Sequence, residues 1–165
     1  MSQLALDVGG AHVKFSDGLA WTGSIPWPLW KSPDQLAGRL RTILASAEDC
    51  TAVAVTMTGE LADCYPSKAA GVNHILASVC EAAGRLPVRV YLTDGRLVSP
   101  AAALAAPILA AASNWHALAR LAGGAIPEYG DAWCRLACYV STCYVVCGRF
   151  RVGAFNWQYG ETRCI

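Results

Sequence analysis

The chain reads as an α/β protein built on a mixed sheet, and three observations predict this. Three β-type segments crowd into the first 22 residues, helical and strand periodicities alternate after them, and the apolar content is high. Of the 165 residues, 55% are hydrophobic and 15% charged, enough to bury a single core of ordinary domain size. The predicted order is β-β-β-α-β-α-β-α, with helices on the faces of the sheet.

The first strand is Gln3–Val8, whose Leu4-Ala5-Leu6 run ends in Asp7. The glycine pair Gly9-Gly10 turns the chain into a second strand, Ala11–Ser16, which carries Lys14. Asp17-Gly18 has the composition of a hairpin turn and leads to a third strand at Leu19–Thr22. Ile25–Trp30 is expected as an extended loop, because Pro26 and Pro28 disfavour helix around them. Ser32-Pro33-Asp34 has the form of a helix start, and Leu36, Leu40, Ile43 and Leu44 follow at helical spacing. Thr51–Met57 is β-branched and alternating, hence a strand. Ser67–Ala83 places Ala70, Ile75, Val79 and Ala83 on the inner face of a helix. Pro87–Leu92 is a further strand, and Pro100–Ala112 and Asn114–Leu121 are helices.

Composition excludes some functions. The formal net charge is +1, and Arg39, Arg41, Arg85, Arg89 and Arg96 are scattered rather than clustered. No nucleic-acid partner is therefore expected. The apolar run from Val98 to Ser113 is broken by Pro100 and Pro107 and falls short of the roughly 20 residues a bilayer span needs. No membrane partner is expected. Met1–Leu6 lacks a basic leader, so the expected location is cytoplasmic, with reduced cysteines.

Two constellations have the form of a site. An acid ending a buried strand, glycines in the turn and a cation on the next strand make a phosphate-handling pattern. Asp7 suits a metal, Gly9 and Gly10 permit close approach of an anion, and Lys14 adds positive charge. The structural alternative is a tight turn between paired strands. The second run is Val55-Thr56-Met57-Thr58-Gly59-Glu60-Leu61-Ala62-Asp63, with Lys68 beyond it. Open α/β proteins place ligands at such strand ends. Thr58 and the Gly59 N–H suit an anion, while Glu60 and Asp63 suit a metal or a general base. Alternatively Thr58-Gly59 is only a turn and the two acids cap a helix. In Ala112-Ser113-Asn114-Trp115-His116, Ser113 or Asn114 is expected as an N-cap rather than a catalytic group.

After Glu128 the texture changes. Five of the eight cysteines lie there: Cys134, Cys138, Cys143, Cys147 and Cys164. The spacing from Cys134 to Cys147 leaves too short a spacer for a zinc site of the usual kind. The chain accordingly divides into residues 1–125, a folded lobe, and 126–165, an aberrant Cys/Trp/Tyr-rich tail consistent with an altered reading frame.

The element order resembles the ribonuclease-H-like lobe of the actin, sugar kinase and heat-shock ATPase superfamily, in which the first hairpin is a phosphate loop. The runs Leu6–Lys14, Thr56–Cys64 with Lys68 and Gly71-Val72, and Ala112–Trp115 together resemble one group within it. That group is the hydantoinase A/oxoprolinase-like proteins of tetrahydromethanopterin-linked one-carbon transfer, whose archaeal relatives are methanofuran-biosynthesis enzymes. The resemblance covers about Met1–Ala122. It implies a magnesium-dependent alkyl transfer from a furanmethyl diphosphate to the phenol of a tyramine-type amine, releasing pyrophosphate. Asp7 would help hold the magnesium, Gly9 and Gly10 would cradle the diphosphate, Lys14 would offset its charge, and Glu60 or Asp63 would be the base. No organic cofactor is implied. Two other readings are an ATP-dependent kinase or hydantoinase-type hydrolase of the same fold, and a non-catalytic fragment. The fragment would self-associate or bind a partner chain through the surface that a second lobe covers in longer relatives.

Overall fold

The structure is a computed structural model that describes residues 2–47 and 49–125. The tail from residue 126, including the cysteine run, lies outside the described residues. Six strands form one mixed sheet: β1 (Ser2–Val8), β2 (His12–Ser16), β3 (Thr22–Pro26), β4 (Cys50–Met57), β5 (Val88–Tyr91) and β6 (Leu97–Val98). Among the described residues five α-helices accompany them: α1 (Leu36–Ala45), α2 (Lys68–Ala83), α3 (Pro100–Ala105), α4 (Pro107–Ala110) and α5 (Ser113–Ala125). The strand order is β3-β2-β1-β4-β5-β6. β1 pairs antiparallel with β2 and parallel with β4, β2–β3 and β5–β6 are antiparallel, and β4–β5 is parallel.

The parallel β1–β4 register sorts the two faces of the sheet. It aligns Leu4 with Val53, Leu6 with Val55 and Val8 with Met57, and on the alternate positions Ala5 with Ala54 and Asp7 with Thr56. Side chains alternate across a strand, so one face is large and aliphatic and the other small and polar. The aliphatic face shares the core with Leu36, Leu40, Ile43 and Leu44 of α1 and Val72, Ile75, Leu76 and Val79 of α2. The small face leaves room for functional groups.

Local chemistry explains the element ends. The Ser67 hydroxyl accepts the Ala70 N–H and starts α2, while Gly84, at φ 59°, stops it. The third strand begins later than Asp17-Gly18 suggested. The Asp17 carboxylate accepts the N–H groups of Leu19 and Trp21, making a side-chain-stabilised loop instead of a two-residue turn. Strand pairing then runs on through Ile25 and Pro26, residues expected in a loop. Pro26 lies on an edge strand, where a missing donor is tolerated. Two further differences concern proline and glycine. Pro107 divides the expected long helix into α3 and α4, with Ala106 out of helical conformation between them (φ −141°, ψ 62°). Gly95, at φ 86°, turns β5 into the unanticipated β6.

Candidate functional site

Asp7 sits at the C-terminal end of β1, on the small face and almost fully buried. The antiparallel register sets Lys14 opposite it, and Lys14 Nζ lies 3.6 Å from Asp7 Oδ2. The other carboxylate oxygen accepts a hydrogen bond from Asn114 Nδ2 at 3.1 Å. The same amide nitrogen lies 3.4 Å from Thr58 Oγ1. Asn114 Oδ1 is buried with no partner among the described residues. The sheet therefore brings Asp7 and Lys14 of the first constellation together with Thr58 of the second. It adds Asn114 from more than a hundred residues away, where a cap was expected. Ser113 is not a cap either: its hydroxyl accepts the Met57 N–H at 3.3 Å and ties α5 to the end of β4.

Burial governs the protonation of Asp7. Loss of water pushes its carboxyl above the usual aspartate range, opposed by the Lys14 charge and by the Asn114 hydrogen bond.

The glycines play different parts. Gly9 donates its N–H to the His12 carbonyl at 3.0 Å, and a Cβ there would stand 3.0 Å from that same oxygen, so Gly9 is a turn residue. Gly10 has open space where a Cβ would be. With Ala11 it lines a pocket of about 300 Å³ whose other walls are Trp30, Thr58, Leu61, Ala62 and Asp63. The open side of this turn is therefore at Gly10 rather than Gly9. Gly59 is buried, and a Cβ on it would press on Leu29 (2.9 Å) and the Val8 carbonyl (3.0 Å). Its lack of a side chain lets the Leu29 loop close over the strand ends.

The two acids of the second run are separated by the structure. Asp63 is exposed on the pocket wall. Glu60 is only 2% exposed, and its Oε1 accepts the Ala112 N–H at 2.8 Å. Ala112 has φ 51°, a left-handed conformation that costs a non-glycine residue about 1–2 kcal/mol. Glu60 holds that residue in place, and Asn114 lies two residues on. A role in positioning Asn114 over Asp7 follows more directly from this geometry than proton abstraction in the pocket. Glu60→Ala leaves the Ala112 amide without its acceptor and should lower unfolding free energy by about 1–3 kcal/mol. Glu60→Gln, which keeps an acceptor, should lose less; urea denaturation of both variants checks the order.

Glu60, like Asp7, is held above the usual carboxylate range, chiefly by burial. Both groups bind protons more tightly in the folded state than in the unfolded one. Their contribution to stability is full below the unfolded carboxylate values, about pH 4, and is lost as pH rises through the raised folded values. Asp94, held low by Arg96, acts in the opposite sense but is fully exposed and weighs little. The melting temperature should therefore fall as pH rises from about 4 towards 7. Scanning calorimetry across that window should give a flatter profile for Asp7→Asn than for the parent chain.

Among the described residues no group of three or more His, Cys, Asp or Glu side chains could hold a metal ion, and no helix is long and apolar enough to cross a membrane.

The motifs that form this site are those that carried the family resemblance. Residues 51–130 match the hydantoinase/oxoprolinase family. A curated relative matches over a longer stretch of the chain. It is the (4-{4-[2-(gamma-L-glutamylamino)ethyl]phenoxymethyl}furan-2-yl)methanamine synthase of Methanocaldococcus jannaschii, 34% identical over 120 residues. The alignment covers 71% of this chain and 35% of the relative, so the chain spans about a third of the relative's length. The hydantoinase/oxoprolinase match runs from β4 through α5 and so includes Thr58, Glu60, Asp63, Gly71 and Asn114.

Proposed function

We propose that this chain is the diphosphate-binding lobe of an alkyl transferase in the biosynthesis of a methanofuran-like one-carbon carrier. The observation that carries the reading is the Asp7 cluster: a buried carboxylate at a strand end, flanked by Lys14, Asn114 and Thr58. The relative's printed name supports the reaction class, because it describes a product in which a phenoxy oxygen is joined through a methylene to a furan bearing a methanamine. The strand order, with β1 parallel to β4 and antiparallel to β2, supports a ribonuclease-H-like lobe of the actin superfamily.

In the proposed reaction the bond between the furanmethyl carbon and the diphosphate oxygen breaks. The phenol oxygen bonds to that carbon, the phenol proton passes to a base, and pyrophosphate leaves. Magnesium fits the residues present. Asp7 and the unpartnered Asn114 Oδ1 are hard oxygen donors, and one or two such groups plus substrate phosphates make a usual magnesium site. Bound there, the ion would offset charge on the leaving diphosphate. Lys14 adds a fixed positive charge on the same side, and Asn114 orients the Asp7 carboxylate. Gly10 and Ala11 leave the turn open to a phosphate oxygen. Asp63, exposed on the pocket, is better placed than Glu60 to meet a substrate group.

The family match is also compatible with an ATP-dependent kinase or hydantoinase-type hydrolase of this fold. Melting of the full chain separates the two. Magnesium with pyrophosphate should raise the melting temperature, by about 2.7 kcal/mol of stabilisation at a hundredfold excess over Kd. Magnesium with ATP should not. Stabilisation by ATP alone would favour the kinase reading and end the transferase one.

A further inference from the structure

Trp30 is not part of any motif, yet the fold delivers it to the pocket. It lies in a short 3-10 turn, Leu29–Lys31, whose first residue is fully buried. The turn is bound to the phosphate-loop hairpin at two points. The Leu29 N–H donates to the Gly10 carbonyl and the Trp27 N–H to the Ala11 carbonyl, both at 2.8 Å. Gly59 admits the Leu29 side chain at a distance no Cβ would allow. Trp27 is half-buried, with the Arg39 guanidinium 5.9 Å from its ring. Trp30, by contrast, is 47% exposed and forms one wall of the pocket; Leu61, 45% exposed, forms another. Side by side on the pocket rim, the two give it an apolar lining that a bound ligand would cover.

Asp63 forms a further wall, beside Thr58 and Ala62. Among the described residues no cation pairs with it. The pocket thus offers an aromatic face, an aliphatic side and one carboxylate, next to the glycine turn. Its volume of about 300 Å³ is at the small end for ligand sites and suits a single ring with short substituents.

We propose that Trp30 and Asp63 determine specificity, Trp30 stacking on a flat heteroaromatic ring and Asp63 pairing with a primary ammonium one carbon away from it. This rests on the transferase reading for its biological substrate, since the relative's name contains a furan bearing a methanamine. The pocket supplies the aromatic and acidic walls that such a ligand needs. Stacking supplies area at little entropy cost because the Trp30 backbone is already fixed, and a cation close to the indole gains further from the ring face.

The test uses the full chain, labelled with nitrogen-15, and furfurylamine as the probe. The Trp30 indole signal is assigned by its disappearance in Trp30→Phe. Furfurylamine should shift that signal with a Kd on the order of 1 mM, typical of a fragment this small. Furfuryl alcohol, which lacks the charge, should bind about fivefold or more weakly, and Asp63→Asn should weaken furfurylamine to a similar extent. A silent Trp30 indole, or equal binding of amine and alcohol, overturns the proposal. Magnesium–pyrophosphate is titrated separately. Pyrophosphate binding with a silent Trp30 sinks this proposal and leaves the diphosphate site standing. A Trp30 response without pyrophosphate binding supports the ring pocket and removes the transferase reading.

Discussion

Replacing Asp7 by alanine is expected to abolish binding of magnesium and pyrophosphate and, on the proposed transferase reading, to lower turnover by about two to three orders of magnitude, roughly the effect of deleting one preorganised charge-stabilising group. The carboxylate is the one acid of the cluster, and Lys14, Asn114 and Thr58 are arranged around it. Asp7→Asn sharpens the test. It keeps the shape of the side chain and removes a charge that burial disfavours. At neutral pH the asparagine variant should melt at or above the temperature of the parent chain while failing to bind the metal–pyrophosphate pair. Function and stability then move in opposite directions, as they do where an active site stores unfavourable electrostatics. Calorimetric titration together with thermal melting checks both halves. An asparagine variant that binds as tightly as the parent removes the metal role from Asp7.

The second large effect concerns Gly71, the fourth residue of α2. Propensity alone says that alanine inside a helix should be better than glycine by about 1 kcal/mol. The surroundings reverse that sign. A Cβ on Gly71 would stand 2.6 Å from the Cα of Glu60 and 2.8 Å from its carbonyl oxygen. Both belong to the backbone of the tight turn that follows β4, which has little freedom to yield. Gly71→Ala should cost about 1–3 kcal/mol net, and Gly71→Val more than about 3 kcal/mol. Because Glu60 holds Ala112, and Ala112 precedes Asn114, the displacement should also weaken pyrophosphate binding. Gly38 provides the control. It lies exposed in α1 with nothing within 4 Å of its Cβ position, so Gly38→Ala should stabilise by about 0.5–1 kcal/mol. Urea denaturation of the two alanine variants should give shifts of opposite sign; equal shifts would mean that α2 stands farther from the turn than these distances state.

The hairpin carrying Asp7 and Lys14 was legible because its signals are local. A strand ending in an acid, a glycine turn and a cation on the return strand need only a two-strand register to meet. The same holds for Thr58, which follows a strongly patterned buried strand. Glu60 and Asp63 were not separable in that way. They lie three residues apart in a 3-10 turn and its exit, and only the packing of α2 against that turn sends one inward and leaves the other in the pocket. Ser113 or Asn114 is expected as a cap because Ser and Asn before a helical run ordinarily are caps; Asn114 instead turns to Asp7. Its contact with Asp7 depends on the left-handed turn at Ala112, and an alanine carries no sequence signal for such a conformation. Trp30, two residues after Pro28, had no periodicity to report; its place comes from the backbone bonds of its neighbours to Gly10 and Ala11. The boundaries missed at β3 and β6 share a cause: pairing with an adjacent strand overrode local turn and loop preferences.

By itself the chain determined most of the succession of strands and helices, the aliphatic face of β1 and β4, and the hairpin that sets Asp7 opposite Lys14. All of these follow from backbone preference and from patterns that repeat every two or every three to four residues. The tertiary structure alone decided that Asn114 bonds Asp7, that Glu60 clamps Ala112, and that Trp30 and Asp63 share a pocket. Those pairings join positions dozens of residues apart, and their distances depend on how helices seat against the sheet, which no local pattern encodes.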